Sequence, residues 1–323
     1  MSFNPPAGLR NPHLQTILSS VGPRRMKVRA EFKAHQVNEQ PVILQCQQGV
    51  RLAGFYNRAA SQQATTLVTL IHGWEGSAES SYMLSMTNTL LAAGIDVFRL
   101  NLRDHGDTHH LNEGVFNSTM LEEVIDAIAD LQTRFEYPDH VLGGFSLGGN
   151  FACRVAAAQT DQPLRLSKVV AFCPLLHARE TSAALSAREN LLYDQYFVRK
   201  WKRSLTKKLE YYPQHDYGQK LASLKTLAAM NQNLVPDYTP FKNLDDYYDA
   251  YAITGDRLSS TRSPLYLHFS EDDMIIPVAD IEKLAGNDDI HVMVTEYGGH
   301  CGFLMNWKLD SWQDQRMLDL VRN

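Results

Sequence analysis

The sequence predicts an α/β protein, a mostly parallel, doubly wound sheet interrupted by a helical insertion. Three observations predict it. Short apolar runs rich in β-branched residues alternate with amphipathic stretches of helical period, as expected for strands covered by helices on both faces. The stretch from Val141 to Asn150 reads strand, sharp turn, helix. A long middle segment, 176–261, is helical, polar and aromatic and offers no convincing buried strand.

The elements follow in order. Residues 1–38 form an irregular arm with prolines at 5, 6, 12 and 23, in which Asn11-Pro12-His13-Leu14-Gln15-Thr16-Ile17-Leu18 starts a short helix. The basic stretch from Arg24 to Lys33 reads as a solvated surface. Pro41 to Gln47 and Val50 to Tyr56 form a hairpin at a sheet edge around Gln48-Gly49. Thr65 to Ile71 is a strand buried on both faces and ends in His72-Gly73-Trp74-Glu75-Gly76. Ser80 to Ala93 is a helix closed by Gly94, and Ile95 to Leu102 is the next buried strand. A polar loop, Arg103 to Asn117, leads to a helix from Ser118 to Phe135 with Leu121, Val124, Ile125, Ile128 and Leu131 on one face. Asp139 to Gly143 is a strand, Asn150 to Gln159 an Ala-rich helix, and Leu166 to Cys173 a strand. The insertion 176–261 is read as a cap or lid. Strands resume at Pro264 to Phe269 and Ile290 to Tyr297, with a short helix at Val278 to Leu284 and a closing helix at Trp312 to Val321. The sheet domain is therefore 39–175 plus 262–323.

Composition excludes several classes. The chain has 323 residues, 44% hydrophobic and 21% charged, an ordinary soluble balance. A net charge of -5 gives no general pull toward nucleic acid or an anionic membrane. Arg199-Lys200-Trp201-Lys202-Arg203 has no second basic cluster or Gly-rich loop beside it and reads as the outer face of a cap helix. No apolar run approaches the ~18 residues that span a bilayer, and no signal peptide is visible. Cys46, Cys153, Cys173 and Cys301 form no C-x-x-C pair, so free thiols in the cytoplasm are expected. Oligomeric state is not legible.

Three groups carry chemistry. Gly144-Phe145-Ser146-Leu147-Gly148 fits the G-x-S-x-G nucleophile elbow. Glycines two residues either side leave room for a strained turn that lifts the Ser hydroxyl clear of the sheet. Asp273 and His300 also fall just past strand ends, where open α/β sheets gather their sites. A hydroxyl is a poor nucleophile until a base takes its proton, and the base needs an acid to fix its tautomer. Ser146 is read as nucleophile, His300 as general base then acid, and Asp273 as the orienting carboxylate, with the adjacent Asp272 as the alternative acid. Gly298-Gly299 and Gly302 make the histidine loop tight. The backbone N–H groups of Leu147 and Trp74 are nominated for the oxyanion hole, with the Trp74 side chain as a wall of the acyl pocket. Asp104-His105-Gly106-Asp107-Thr108-His109-His110 matches no metal motif and reads as a surface or substrate-entrance loop. No metal and no cofactor is called for.

With these residues, the chain resembles the α/β-hydrolase superfamily, and within it the YheT-like branch. The narrower resemblance rests on Asn11-Pro12-His13-Leu14-Gln15-Thr16, on His72-Gly73-Trp74-Glu75-Gly76 with Ser80-Ser81-Tyr82, and on Asp245-Asp246-Tyr247-Tyr248-Asp249-Ala250-Tyr251. It runs nearly end to end and is weakest over 176–240. It implies the α/β-hydrolase fold, the order Ser146, Asp273, His300, and an acid four residues before Pro277. It implies hydrolysis of carboxylic esters, short-chain or lipid-like, as small-molecule substrates and without a cofactor. An acyltransferase or thioesterase on the same residues is the alternative, and a non-catalytic binding protein a third reading. Where the family has Arg-Gly after the fourth strand, this chain has Arg103-Asp104.

Overall fold

The computed structural model describes residues 3–60, 64–158 and 164–323. Among the described residues, eight strands form one sheet: β1 (Glu39–Gln45), β2 (Arg51–Asn57), β3 (Thr66–Ile71), β4 (Asp96–Asn101), β5 (Asp139–Phe145), β6 (Lys168–Phe172), β7 (Leu265–Ser270) and β8 (Ile290–Thr295). Their order is β1-β2-β4-β3-β5-β6-β7-β8. The β1–β2 and β2–β4 pairs are antiparallel and every later pair is parallel, so the predicted hairpin sits at one edge.

The central strands alternate side chains between two cores, as strand geometry requires. Leu67 and Ile71 of β3 face one way, toward α4 (Leu121–Arg134) and α5 (Leu147–Ala158). Val68 and Leu70 face the other, toward α3 (Ser81–Ala92) and α11 (Trp312–Arg322). Covering both faces removes apolar side chains from water at roughly 25 cal/mol per Å². The expected helix to Gln159 runs to Ala158, and Gln159 lies outside the described residues.

The arm is more ordered than the sequence suggests. It holds two helices, α1 (Pro12–Ser20) and α2 (Pro23–Phe32). Both prolines occupy first-turn positions, where the missing N–H costs nothing and the fixed φ favours the helix, so they start helices rather than break them. Asn11 caps α1 by accepting the Leu14 N–H at 3.1 Å. Of the basic stretch, Arg25, Arg29 and Lys33 are exposed as expected, and Arg24 is the exception. Arg24, Val28 and Phe32 lie one helical turn apart and are buried against α3. Arg24 is only 2% exposed; it donates to Ser19 O and Ser85 Oγ and lies 3.8 Å from Asp314.

Between β6 and β7 the chain is helical: α6 (Ala178–Ser186), α7 (Leu191–Tyr211), α8 (Gly218–Leu221), α9 (Leu227–Tyr238) and α10 (Leu244–Ala250). Leu205, Tyr217, Leu234 and Tyr247 from these helices join the same core cluster as β3 and α5. Among the described residues, no helix is long and apolar enough to cross a membrane.

Candidate active site

Ser146 sits between β5 and α5 with φ of 53°, a left-handed conformation that costs a non-glycine residue about 1–2 kcal/mol. The surroundings hold it there. Its N–H donates to Phe172 O at 2.9 Å, and its carbonyl accepts the Asn150 N–H at 3.0 Å. The flanking glycines are needed for space. A Cβ on Gly144 would lie 2.3 Å from Gly148 O, and one on Gly148 would lie 2.3 Å from Ile71 O. The sequence argument from crowding is therefore met atom by atom.

The structure brings Ser146, His300 and Asp273 together. His300 Nε2 lies 2.9 Å from Ser146 Oγ, and His300 Nδ1 lies 2.8 Å from Asp273 Oδ2. A carboxylate only accepts, so Nδ1 carries the proton and Nε2 is free to accept from the hydroxyl. Asp273 is pinned: its other oxygen accepts the N–H groups of Ile275 and Ile276 at 2.8 and 3.0 Å. Asp272 points elsewhere and accepts the Gly299 N–H at 2.8 Å, so it shapes the histidine loop instead of touching the imidazole. Burial alone would lower the imidazolium pKa. The charges of Asp273 and Cys301 and the hydrogen bond to Asp273 together outweigh it and raise His300 to about 9.

The histidine loop leans on the arm, which sequence reasoning did not anticipate. Thr16 Oγ1 donates to Pro12 O at 2.8 Å and accepts the His300 N–H at 2.9 Å. Gln15 is fully buried; its Oε1 accepts the Leu304 N–H at 2.6 Å and its Nε2 donates to Leu304 O at 3.2 Å. Gly299, at φ +55°, is so close that a Cβ would lie 2.5 Å from Pro12 O. The signal was visible as the Asn11–Thr16 segment, but nothing in a sequence says which distant loop a helix braces.

The loop carrying Trp74 is held by two buried, neutral histidines. His72 Nδ1–H donates to Gly73 O at 2.8 Å while Nε2 accepts the Leu102 N–H. His105 Nε2 accepts the Glu75 N–H at 3.1 Å while its Nδ1–H donates to Arg103 O. Burial holds His72 well below its ordinary value and His105 down to about 4. This loop presses on Ser146, since a Cβ on Gly73 would lie 3.2 Å from Ser146 Cβ. Leu147 opens α5, so its N–H belongs to a first turn that has no intrahelical acceptor.

The loop read as surface, Asp104 to His110, is largely buried. Asp104, His105 and His109 are 6%, 3% and 3% exposed: Lys208 and Ser204 of α7 reach Asp104 and His109, while His105 packs against His72 and Phe116. Lys208 Nζ lies 2.8 Å from Asp104 Oδ1 and also donates to the carbonyls of His109 and Asn112. Asp104 has φ of 58°, which explains why a glycine is at home at this position and what this chain gains by departing from it: a carboxylate for the lysine above. The Trp74 ring stacks on Phe197 and meets Trp201 edge-on, both centroids at 5.3 Å. Arg199 and Arg203 face outward as expected.

Two cavities lie beneath these helices. One is lined by Phe116, Trp201, Tyr217, Leu234, Tyr238 and Tyr247 among others, the second by Glu75, Asp104, His105, Trp201 and Lys208. They offer about 30 and 10 Å³. Since one water needs about 10–15 Å³, the larger holds a water or two and no acyl chain. Neither is lined by Ser146, Asp273 or His300.

This sheet order, elbow and relay define an α/β hydrolase, and the sequence comparison agrees: residues 70–308 match the model of the alpha/beta hydrolase family, to which the chain belongs. Within it the chain is similar to proteins of the YheT kind. It is 24% identical over 324 aligned residues to a protein of Escherichia coli (strain K12) named "Putative esterase YheT", covering 98% of this chain and 92% of that one. It is 23% identical to human "Phospholipase ABHD3", covering 76% of this chain and 60% of that one. The esterase Pf2001 of Pyrococcus furiosus superposes with a TM-score of 0.59 at 15% identity, covering 90% of this chain and 92% of that one.

Proposed function

We propose that the protein is a serine esterase that cleaves small carboxylic esters, short-chain or lipid-like, through an acyl-enzyme. The observation that carries this reading is the Ser146–His300–Asp273 relay at 2.9 and 2.8 Å. Ser146 Oγ attacks the ester carbonyl while His300 Nε2 takes its proton. The tetrahedral oxyanion is received by the N–H groups of Leu147 and Trp74, with the α5 N-terminus adding positive potential. Collapse breaks the C–O bond, and His300 returns the proton to the departing alkoxide. A water then loses a proton to the same imidazole, attacks the acyl-enzyme and releases the acid.

Residues 176–261 act as the lid in this reading. Trp201 lines both cavities and touches Trp74, so movement of α7 would open space toward the nucleophile and let the small cavity grow into an acyl pocket. The four free thiols fit a reducing compartment, the cytoplasm.

Hydrolysis of p-nitrophenyl esters from acetate to palmitate tests the proposal. The wild type should show a preferred chain length, and Ser146→Ala and His300→Ala should each lose about 10⁴-fold or more in kcat/KM. Undiminished turnover in Ser146→Ala would sink it. A wild type inert to esters but active on thioesters would move it to another acyl donor.

A further inference from the structure

A pair of thiols that the proposed mechanism does not use lies directly behind the base. Cys173 follows β6, and Cys301 follows His300 in the tight loop. Among the described residues, Cys173, His300 and Cys301 form a group whose ligand atoms all lie within 4.8 Å of one another. The two thiols lie 128 residues apart in the chain and converge because the histidine loop folds back over the elbow: the Cys301 N–H points at Cys173 Sγ at 3.4 Å.

We propose that Cys173, Cys301 and His300 form a binding site for a soft divalent cation of the zinc class, and that its occupation withdraws the base from Ser146. Three arguments carry this. The donor set, two thiols and an imidazole, suits zinc or cadmium and does not suit magnesium or calcium, which take oxygen. The spacing is close to the need. Zinc–sulfur bonds of about 2.3 Å put two thiolates on one tetrahedral ion about 3.8 Å apart, so movements of an ångström or less gather the ligands. Those movements give up little, since the contacts to the thiols are weak ones: Cys301 Sγ to Phe172 O at 3.5 Å, Cys173 Sγ to Gly299 O at 3.9 Å and the Cys301 N–H to Cys173 Sγ at 3.4 Å.

His300 is prepared for the role on its other side. Nδ1–H stays on Asp273, the carboxylate–histidine arrangement that orients metal-bound imidazoles, and Nε2 turns from Ser146 Oγ to the ion. The two thiol protons pass to solvent, no electron is transferred, and the fourth position is left to water. The inhibition half of this proposal rests on the esterase reading; the binding half does not.

The test is cadmium titration of the full chain in a Cys46→Ser background, which removes the partly exposed thiol. Binding is read from the ultraviolet thiolate-to-cadmium charge-transfer band and from equilibrium dialysis, and ester turnover is measured in parallel. One ion per chain with the band is expected. Cys173→Ala, Cys301→Ala and His300→Ala should each weaken binding by about tenfold or more, the first two also diminishing the band. Zinc should inhibit turnover in the background protein, a chelator should restore it, and each cysteine variant should escape relative to its own metal-free rate. A missing band, or affinity indifferent to both cysteines, overturns the proposal. Binding as expected in a protein without esterase turnover would instead overturn the functional reading and leave the site standing.

Discussion

At His300 two opposed effects set the affinity for a proton. Burial disfavours the imidazolium; Asp273 and Cys301 favour it and prevail, leaving the value at about 9 against an ordinary 6.5. A raised value means that the stabilisation is fully present below about pH 6.5 and is lost as pH climbs through about 9. In the proposed mechanism catalysis has the reverse slope, because only the neutral ring accepts a proton from Ser146. The profile of kcat/KM for the free enzyme should therefore rise with pH and level off above about 9. Asp273→Asn should lower the plateau about 10⁴-fold and move the limb toward acid, since burial is then less opposed. Asp272→Asn should leave the limb in place. Measuring all three profiles checks the assignment of the acid, which sequence alone left between two neighbouring residues. The spacing to Pro277 favoured Asp273, and the Ile275 and Ile276 amides give the physical reason: that turn folds the backbone around one Asp273 oxygen and aims the other at the imidazole.

Elements were legible where their apolar pattern and their burial agree. Buried strands such as β3 announce themselves as continuous apolar runs, and α4 as a single apolar stripe. The arm was illegible for a specific reason. Pro12 and Pro23 look like breakers until they are recognised as first-turn residues, and the stripe Arg24, Val28, Phe32 hides because an arginine fills one core position. Asp314 and the Ser85 hydroxyl, far along the chain, make that burial tolerable. In the proposed mechanism the arm's placement gives it a part in positioning His300. Thr16→Val keeps the shape but removes the acceptor for the His300 N–H. It should lower kcat about tenfold with little change in KM, and Thr16→Ser should restore it. A KM effect equal to the kcat effect would place Thr16 in substrate binding instead.

Across the whole molecule, the helices over the sheet are joined to it by a buried ion pair, Lys208 with Asp104, whose side chains are 1% and 6% exposed. Lys208→Met should destabilise by about 3–5 kcal/mol in urea unfolding, because it strands a buried carboxylate. Adding Asp104→Asn should recover much of that loss, as no charge is then left unpaired. The polar loop beneath looked like surface in the sequence, since part of its cover comes from α7, whose Lys208 reaches Asp104 from 104 residues later. Long-range dependence of this kind recurs at the site. Ser146 and His300 are 154 residues apart, and Thr16 meets His300 across 284. During synthesis Ser146 thus emerges 154 residues ahead of His300, and the helix carrying Thr16 emerges 284 residues ahead of the loop it supports. In the proposed mechanism, a product that stops short of residue 300 would carry Ser146 without the imidazole that activates it.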